Sequence, residues 1–299
     1  MSLNLVDTRV LATPFDYFEP SSTKEAVDVL GRYGERAAVL AGGTDLLIKM
    51  KQRLTEPKYV VNIKKIGELR VIEDNGDFLC VGAAANLFDI ENLDIVKEKF
   101  PALREAIMSI GALQIRVMAT LGGNLCNASP AADSAPALMV LGARVKLLSS
   151  AGSRVLTLEE FFKGPGKTAI KPGELLVEIQ VPYPPPGTGT SFLRLTRAAV
   201  DIAKVNAAAL LTIQENVVYS CGIALGSVAP TTMRAKKAEA LLLGKKVTEK
   251  AIAEAAQAAS EEIKPITDIR STARYRIDAS RVLVRRALRI AWDRSIASR

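Results

Sequence analysis

Two glycine-rich loops contain the residues whose types and spacing could do chemistry. The first loop is predicted to join a strand to a helix, where Gly42 and Gly43 let the backbone adopt positive φ and approach a ligand closely. The following helix N-terminus offers unpaired N–H groups, and Thr44 adds a hydroxyl, which together favour a pyrophosphate site. Asp45 can cap the helix, and a plain turn is the alternative interpretation of the loop. The loop consists of Val39, Leu40, Ala41, Gly42, Gly43, Thr44, Asp45 and Leu46.

The second loop begins at Thr120 and is longer than a connection between packed elements needs to be. Long irregular loops inside a compact domain are usually functional or disordered, and the apolar flanks of this one argue against disorder. Its first residues are predicted to present consecutive N–H groups to an anion. Asp133 either accepts hydrogen bonds from ribose hydroxyls or caps the next helix, and the sequence leaves these two roles open. The anion-binding residues are Thr120, Leu121, Gly122, Gly123 and Asn124.

The chain contains no histidine, and this absence excludes several classes of enzyme. Serine–histidine and cysteine–histidine catalysis, histidine-ligated zinc and histidyl attachment of a flavin all need that residue. The three cysteines, Cys80, Cys126 and Cys221, are too far apart for a metal motif, so reduced thiols in the cytoplasm are expected. A GxGxxG motif is missing, and the segment Gly164–Thr168 lacks the first glycine of a P-loop, so it is interpreted as a surface turn.

Composition indicates an ordinary globular protein of 299 residues with a net charge of +8. The N-terminus has no pattern of a signal peptide, and no apolar run is long enough to span a membrane. Residues 270–299 contain nine arginines against two aspartates, a net charge of +7. A solvated helix with one apolar stripe is the preferred interpretation of that stretch, with binding to an acidic protein face, lipid or nucleic acid as alternatives.

Apolar periodicity predicts the order of the main elements. The chain starts with helix Ser21–Gly34, strand Ala37–Leu40, helix Asp45–Leu54 and strand Val60–Ile63, an order that suggests a small parallel sheet. Three strands of an antiparallel meander and then three helices are predicted after a proline-rich linker at Pro182–Gly189. Further predicted elements are Leu79–Ala85, Pro101–Ile110, an irregular Thr120–Ser134, Ala135–Leu141, Arg144–Leu148, Leu175–Val181, Ser191–Arg197, Lys204–Ile213, Val217–Val228, Ala235–Leu243, Thr248–Ile263 and Ser271–Ile296.

The order and spacing of several short motifs resemble the FAD-binding subunit of the xanthine dehydrogenase and carbon monoxide dehydrogenase family. The resemblance covers nearly the whole chain, and the motifs are specific as a set rather than one by one. The matching segments are Ala41–Asp45, Gln114–Arg116, Ala119–Asn124, Ser129–Pro130, Asp133, Asp201–Asn206, Gly226–Thr231, Arg234–Ala235 and Ile269–Arg276.

This resemblance implies an α+β fold. Two subdomains, residues 1–63 and 64–185, form a non-Rossmann FAD-binding fold of the PCMH type, and residues 186–299 form a C-terminal domain with a small antiparallel sheet and helices. Both glycine loops are then expected to wrap the FAD pyrophosphate, with Asp133 on the adenosine ribose. Ile110 and Ile170 are expected near the flavin, and Arg194 near the isoalloxazine or the phosphates. Simple core packing and a surface strand charge are the alternatives for these last three residues.

The resemblance also implies a role in a larger enzyme, a molybdenum-containing hydroxylase. Non-covalent FAD would receive electrons from [2Fe–2S] clusters on a small iron–sulfur subunit and pass them to an external acceptor. A large subunit would carry the molybdenum cofactor. Three scattered cysteines cannot hold an iron–sulfur cluster in this chain. A free-standing flavin oxidoreductase with the same FAD fold is the alternative. A nucleic-acid-binding protein is disfavoured because no base-reading motif is present.

Overall fold

The structure, a computed structural model, describes Leu11 and residues 13–297. The other residues, among them most of the start of the predicted first domain and Arg299, lie outside the described part of the chain. The first elements are β1 (Asp16–Phe18), α1 (Thr23–Tyr33), β2 (Ala37–Leu40), α2 (Leu46–Lys51) and β3 (Tyr59–Asn62). They are followed by β4 (Ile72–Asp74), β5 (Phe78–Gly82), α3 (Leu87–Asn92), α4 (Asp94–Lys99), α5 (Pro101–Ser109), α6 (Leu113–Met118), α7 (Leu121–Cys126), α8 (Ser134–Val140), β6 (Arg144–Ser149), β7 (Gly152–Thr157), α9 (Leu158–Phe161), β8 (Phe162–Gly164), β9 (Lys167–Thr168) and β10 (Leu175–Pro182). The last elements are β11 (Thr188–Leu195), β12 (Val205–Gln214), β13 (Val217–Gly226), β14 (Met233–Arg234), α10 (Lys236–Leu242), α11 (Glu249–Glu262) and α12 (Ala273–Ala297).

The first sheet is three-stranded and parallel, with the order β1-β3-β2, as the element order predicted. Helix α1 begins where the Ser22 hydroxyl accepts a hydrogen bond from the Glu25 N–H, and it ends at Gly34, whose φ of 54° suits glycine. Its buried face, which includes Ala26, Val27 and Leu30, packs toward the sheet. Strand β1 was not predicted, because its three residues are mostly exposed and lack an apolar pattern.

The second sheet is antiparallel and has five strands in the order β4-β5-β10-β6-β7. The helices that lie between β5 and β6 in the sequence bring the second glycine loop close to the edge of this sheet. The prediction that Thr120–Ser134 is wholly irregular was wrong, because α7 occupies Leu121–Cys126. The Thr120 hydroxyl caps this helix by accepting from the Gly123 N–H, and burial of Leu121 and Leu125 outweighs the low helix propensity of two glycines.

The third sheet, β11-β12-β13-β14, confirms the predicted antiparallel meander, and α12 packs across it. The linker before the third sheet is shorter than the predicted Pro182–Gly189, since Thr188 and Gly189 already belong to β11. Gly189 is required there because a Cβ would lie 2.0 Å from the Ala291 carbonyl oxygen of α12. The apolar residues of β12 and β13 form a separate core with α10, α11 and α12.

Ion pairs and hydrogen bonds hold the third sheet against a helix that lies, in the sequence, between two strands of the second sheet. Glu105 of α5 accepts from the Phe192 N–H at 2.8 Å and from the Arg294 guanidinium at 2.5 Å. Arg294 also donates to the Thr190 carbonyl at 2.7 Å. Glu105 thereby connects α5 to both β11 and α12.

Candidate functional site

A cleft of about 660 Å³ lies where residues of all three main sheets and their loops meet, a volume typical of small-molecule sites. Most of the residues that the sequence proposed for binding line it together. They are Val39, Ala41, Gly42, Gly43, Thr44, Asp45, Leu46, Ile110, Thr120, Gly122, Gly123, Asn124, Asp133, Ile170 and Arg194. Residues separated by up to 165 positions in the sequence therefore share one surface, since the lining runs from Ala38 to Ala203.

Two of the proposed residues, Leu40 and Leu121, lie elsewhere. Leu40 is buried with Met50 and Val60 beneath the first sheet. Leu121 is fully buried in the core of the second unit. Both belong to the glycine loops by sequence, but their apolar side chains anchor these loops in the two cores and do not line the cleft.

The first glycine loop leaves its backbone donors free. Within the part of the chain that the structure describes, the N–H groups of Gly42, Gly43, Thr44 and Asp45 have no acceptor in the protein. Gly43 has a φ of 78°, which favours glycine, and a Cβ on Gly42 would lie 2.3 Å from the Met118 carbonyl oxygen. The prediction that Asp45 caps α2 was wrong, because its side chain makes no capping hydrogen bond. Four consecutive free N–H groups are able to bind an anion.

The second glycine loop differs from the sequence expectation, because its backbone donors are already used inside the protein. The Leu121 and Gly122 N–H groups donate to the Ala85 and Ala83 carbonyls, both at 3.1 Å. The Gly123 N–H donates to the Thr120 hydroxyl, and the Asn124 N–H to the Thr120 carbonyl. A Cβ on Gly122 would lie 2.5 Å from the Ala83 carbonyl oxygen. This loop therefore forms a wall of the cleft, and its glycine permits close packing on the second sheet.

A polar bridge joins the two loops and was not predicted. The Asn127 amide donates to the Asp45 carboxylate at 3.1 Å and accepts from the Lys49 ammonium at 2.6 Å. All three residues line the cleft. Lys49 lies one helical turn after Asp45, a spacing that places both side chains on one face of α2, but only the tertiary structure brings Asn127 to them.

Asp133 connects the second sheet and its helices to the third sheet. It stands at the N-cap position of α8, yet its side chain makes no capping hydrogen bond. Its carboxylate instead accepts from the Asn206 amide at 2.8 Å and pairs with the Arg194 guanidinium at 3.0 Å. Burial raises the pKa of Asp133 above its ordinary value of 3.8, against the opposing effects of Asn206 and Arg194. Arg194 also donates to the Ala199 and Asp201 carbonyls, which holds that loop beside the cleft.

The remaining lining is largely apolar. Ile110 and Ile170 are partly buried against the core of the second unit and also line the cleft. Cys126 lies in the same wall, and burial raises the pKa of its thiol to about 12, so it stays neutral at neutral pH. Apolar residues that the sequence did not suggest are Ile115, Val200 and Ile202. Among the described residues, no group of three or more Cys, Asp or Glu side chains is arranged to hold a metal ion.

Comparisons with known proteins identify related domains and chains. Residues 13–184 match the family model described as the FAD binding domain in molybdopterin dehydrogenase, and residues 190–291 match the CO dehydrogenase flavoprotein C-terminal domain. The chain is 35% identical to the carbon monoxide dehydrogenase medium chain of Afipia carboxidovorans, over 94% of this chain and 98% of that one. It is 33% identical to the caffeine dehydrogenase subunit beta of a Pseudomonas species, over 95% and 97%. It also resembles the crystal structure of quinoline 2-oxidoreductase from Pseudomonas putida 86, with a TM-score of 0.89 and 30% identity over 95% of this chain and 98% of that one.

The pair of Asp133 and Arg194 generates a pH-dependent prediction for the apoprotein. Arg194→Met leaves a buried carboxylate with Asn206 as its remaining partner, and we expect it to lower the free energy of unfolding by about 3 kcal/mol at pH 7.5. Loss of the cation raises the folded-state pKa of Asp133 further above the unfolded value. The stability that Arg194→Met loses relative to the wild type is therefore small near pH 4. This loss grows as the pH rises through the folded-state pKa of Asp133. Urea unfolding at both pH values measures it.

The double variant Asp133→Asn/Arg194→Met is the control for this prediction. It removes the carboxylate together with its partner, so most of the lost stability and its pH dependence should be recovered. A single variant Arg194→Met that is equally destabilised at both pH values would contradict a role of the ion pair.

Proposed function

This chain belongs to the family of FAD-binding subunits of molybdenum hydroxylases, and on that premise we propose that its central cleft holds one non-covalent FAD. The observation that carries the proposal is the row of four free N–H groups at Gly42–Asp45, which opens into a cleft of about 660 Å³. The chain has no histidine for histidyl attachment of a flavin. We propose domain bounds of 1–63, 64–185 and 186–299, and each of the three main sheets falls within one of these ranges.

Roles within the site follow from the donors that are available. The N–H groups of the first loop, with the Thr44 hydroxyl beside them, bind the pyrophosphate, while the second loop closes the opposite side. A carboxylate has about four lone-pair sites, so Asp133 can accept from a ribose hydroxyl while it keeps Arg194 and Asn206. Ile110 and Ile170 form an apolar surface for the flavin, and Arg194 supplies the positive charge on that side.

The chain is a subunit of an oxidoreductase, and FAD, when bound, supplies the redox chemistry. The residues of this chain bind and orient the cofactor. We propose that a partner small subunit carries the [2Fe–2S] clusters that deliver electrons to this site, and that a large subunit carries the molybdenum cofactor. The three cysteines of this chain are too few to ligate an iron–sulfur cluster, which supports the placement of the clusters on a partner.

The partner subunits are also proposed to determine the substrate. The related chains are named for carbon monoxide and caffeine, and a similar solved structure for quinoline, at comparable identities of 35%, 33% and 30%. Such different molecules share little chemistry that one conserved cleft could recognise. We propose that this chain contacts the electron acceptor and leaves substrate oxidation to the large subunit.

An exposed apolar surface on α6 supports the docking of a partner. Four of its six residues, Leu113, Ile115, Val117 and Met118, are apolar and 42–49% exposed, and no residue of this helix is buried. Arg116 holds the helix in place through an ion pair with Glu91 at 2.8 Å. A helix that is mostly apolar yet unburied is typical of an interface. Because Ile115 also lines the cleft, a chain bound here lies next to the proposed cofactor, as an electron donor must.

We propose the cytoplasm as the location of the complex. The three cysteines form no disulfide, which fits a reducing compartment. Within the described residues, none of the helices is both long enough and apolar enough to cross a bilayer.

Thr44→Glu tests the phosphate site. The new carboxylate lies beside the four free N–H groups, where it accepts from them and repels phosphate, so we expect FAD affinity to fall at least tenfold. Flavin content of the purified protein and fluorescence titration of apoprotein with FAD measure the effect. Ile48→Glu, at an exposed position of the following helix α2, is the matched control and should keep wild-type affinity. Unchanged FAD affinity of the Thr44 variant would place the phosphates elsewhere, and FAD that acid precipitation cannot release would refute non-covalent binding.

Leu113→Asp/Val117→Asp tests the docking surface on α6. Burial of two charges in an apolar interface is unfavourable, so partner subunits should no longer co-purify, while FAD titration of the isolated chain stays unchanged. Ile266→Asp/Ile269→Asp introduces the same charges at apolar residues that are 70% and 94% exposed and do not line the cleft. Retention of the partner subunits by the α6 variant, or equal loss in the control, would be evidence against this surface.

A further inference from the structure

A groove of about 560 Å³ between α11 and α12 contains four arginines and is separate from the cofactor cleft. Arg281, Arg285, Arg286 and Arg289 of α12 form its charged side, and small apolar residues of both helices form its floor. Arg285 and Arg289 remain 58% and 62% exposed. A solvated helix with one apolar stripe explains the core-facing side of α12, but it does not explain why four arginines line one groove.

The positive charge of the groove is only partly compensated within the described residues. Glu249 is shared by Arg285 at 3.9 Å and Arg289 at 3.3 Å. Arg281 donates to the neutral Gln257, and Arg286 has no partner among the residues that the structure describes. Four guanidinium groups thus share one carboxylate.

The nearby carboxylates do not compensate this charge, because they pair outside the groove. Glu254 lies 3.9 Å from Lys250, and Asp278 lies 3.5 Å from Arg274. Like charges held close together repel one another unless an anion binds between them. The groove therefore has a net excess of positive charge that an external anionic group can satisfy.

The spacing of the arginines indicates the form of that anion. Arg281, Arg285 and Arg289 are four residues apart, which places them about 6 Å apart along the helix and spreads them over about 12 Å. Carboxylates at every fourth position of an acidic helix repeat at the same distance. A single phosphate or pyrophosphate is too short to reach the whole row. Single-stranded nucleic acid is bound by stacking on aromatic side chains, and the groove lining has none.

We propose that this groove docks an acidic helical segment of another polypeptide, whose carboxylates pair with the arginines of α12. The proposal rests on the proposed function in one respect, namely that the segment belongs to another subunit of the complex. Charge complementarity, bidentate arginine–carboxylate pairs and a floor of small residues on which a helix can lie together favour this occupant. The groove is then a second contact with the partner subunits, in addition to α6.

A designed peptide tests the chemistry without any partner subunit. The probe is a labelled alanine-based helix with glutamate at every fourth position, and its binding to the FAD-loaded chain is followed by fluorescence anisotropy at low salt. Arg285→Gln/Arg286→Gln should weaken binding at least tenfold, because charge-assisted hydrogen bonds are lost. Arg274→Gln/Lys245→Gln removes the same charge from exposed positions outside the groove and should change affinity less than about twofold.

Several outcomes would overturn the proposal. These are no binding of the glutamate peptide to the wild-type chain, equal weakening in both double variants, or tighter binding of pyrophosphate or a single-stranded oligonucleotide than of the peptide. In the complete complex, the groove variant should lose a partner subunit at lower salt than the control variant, and identical salt tolerance would also contradict it. Both variants should retain full FAD content, so a wild-type chain without FAD would count against the proposed function and not against the groove.

Discussion

The first glycine loop directs four free backbone N–H groups into the cleft, and much of the structure holds it in this arrangement. Unpaired N–H groups in a cleft are costly unless a ligand or water accepts from them. Strand β2 leads directly into the loop, and the positive φ of Gly43 reverses the chain direction there. The close contact of Gly42 with the Met118 carbonyl fixes the path of the backbone. The bridge through Asn127 then ties α2 to the second loop, so that the donors remain directed into the cleft.

The cleft exists only because three packed units keep a fixed arrangement. Arg194 and Asn206 of the third unit hold Asp133 of the second, and Glu105 connects α5 to both β11 and α12. These contacts are between polar groups that are largely buried, which makes their geometry strict. The same arrangement leaves the apolar face of α6 and the arginine groove of α12 uncovered. The described residues thus provide the proposed ligand cleft and two surfaces with the properties of protein contacts, as expected for a subunit that works in a complex.

Local sequence patterns predicted the parts of this structure that depend on neighbours in the chain. The strand–glycine–helix order around Gly43, the antiparallel meander and the three C-terminal helices are all local signals. The order of the five strands in the second sheet is non-local and could not be predicted, and neither could the bond between Lys49 and Asn127, which are 78 positions apart. The family resemblance placed Asp133 and Arg194 at the cleft, but their mutual ion pair appears only in three dimensions. Helix α7 was missed because burial of its leucines outweighs the glycine signal, and that burial is a property of the fold.

The most direct test of the account is anaerobic flavin reduction by the substrate of the complete complex, followed through the visible absorbance of FAD. The chain binds the cofactor, but its three cysteines are too few to ligate an iron–sulfur cluster. The FAD-loaded chain alone should therefore show no bleaching with that substrate, although an artificial reductant bleaches it. Addition of the molybdenum and iron–sulfur subunits should restore substrate-dependent bleaching. Stoichiometric reduction of the flavin by the substrate in the isolated chain would contradict the subunit role and establish a free-standing flavin oxidoreductase.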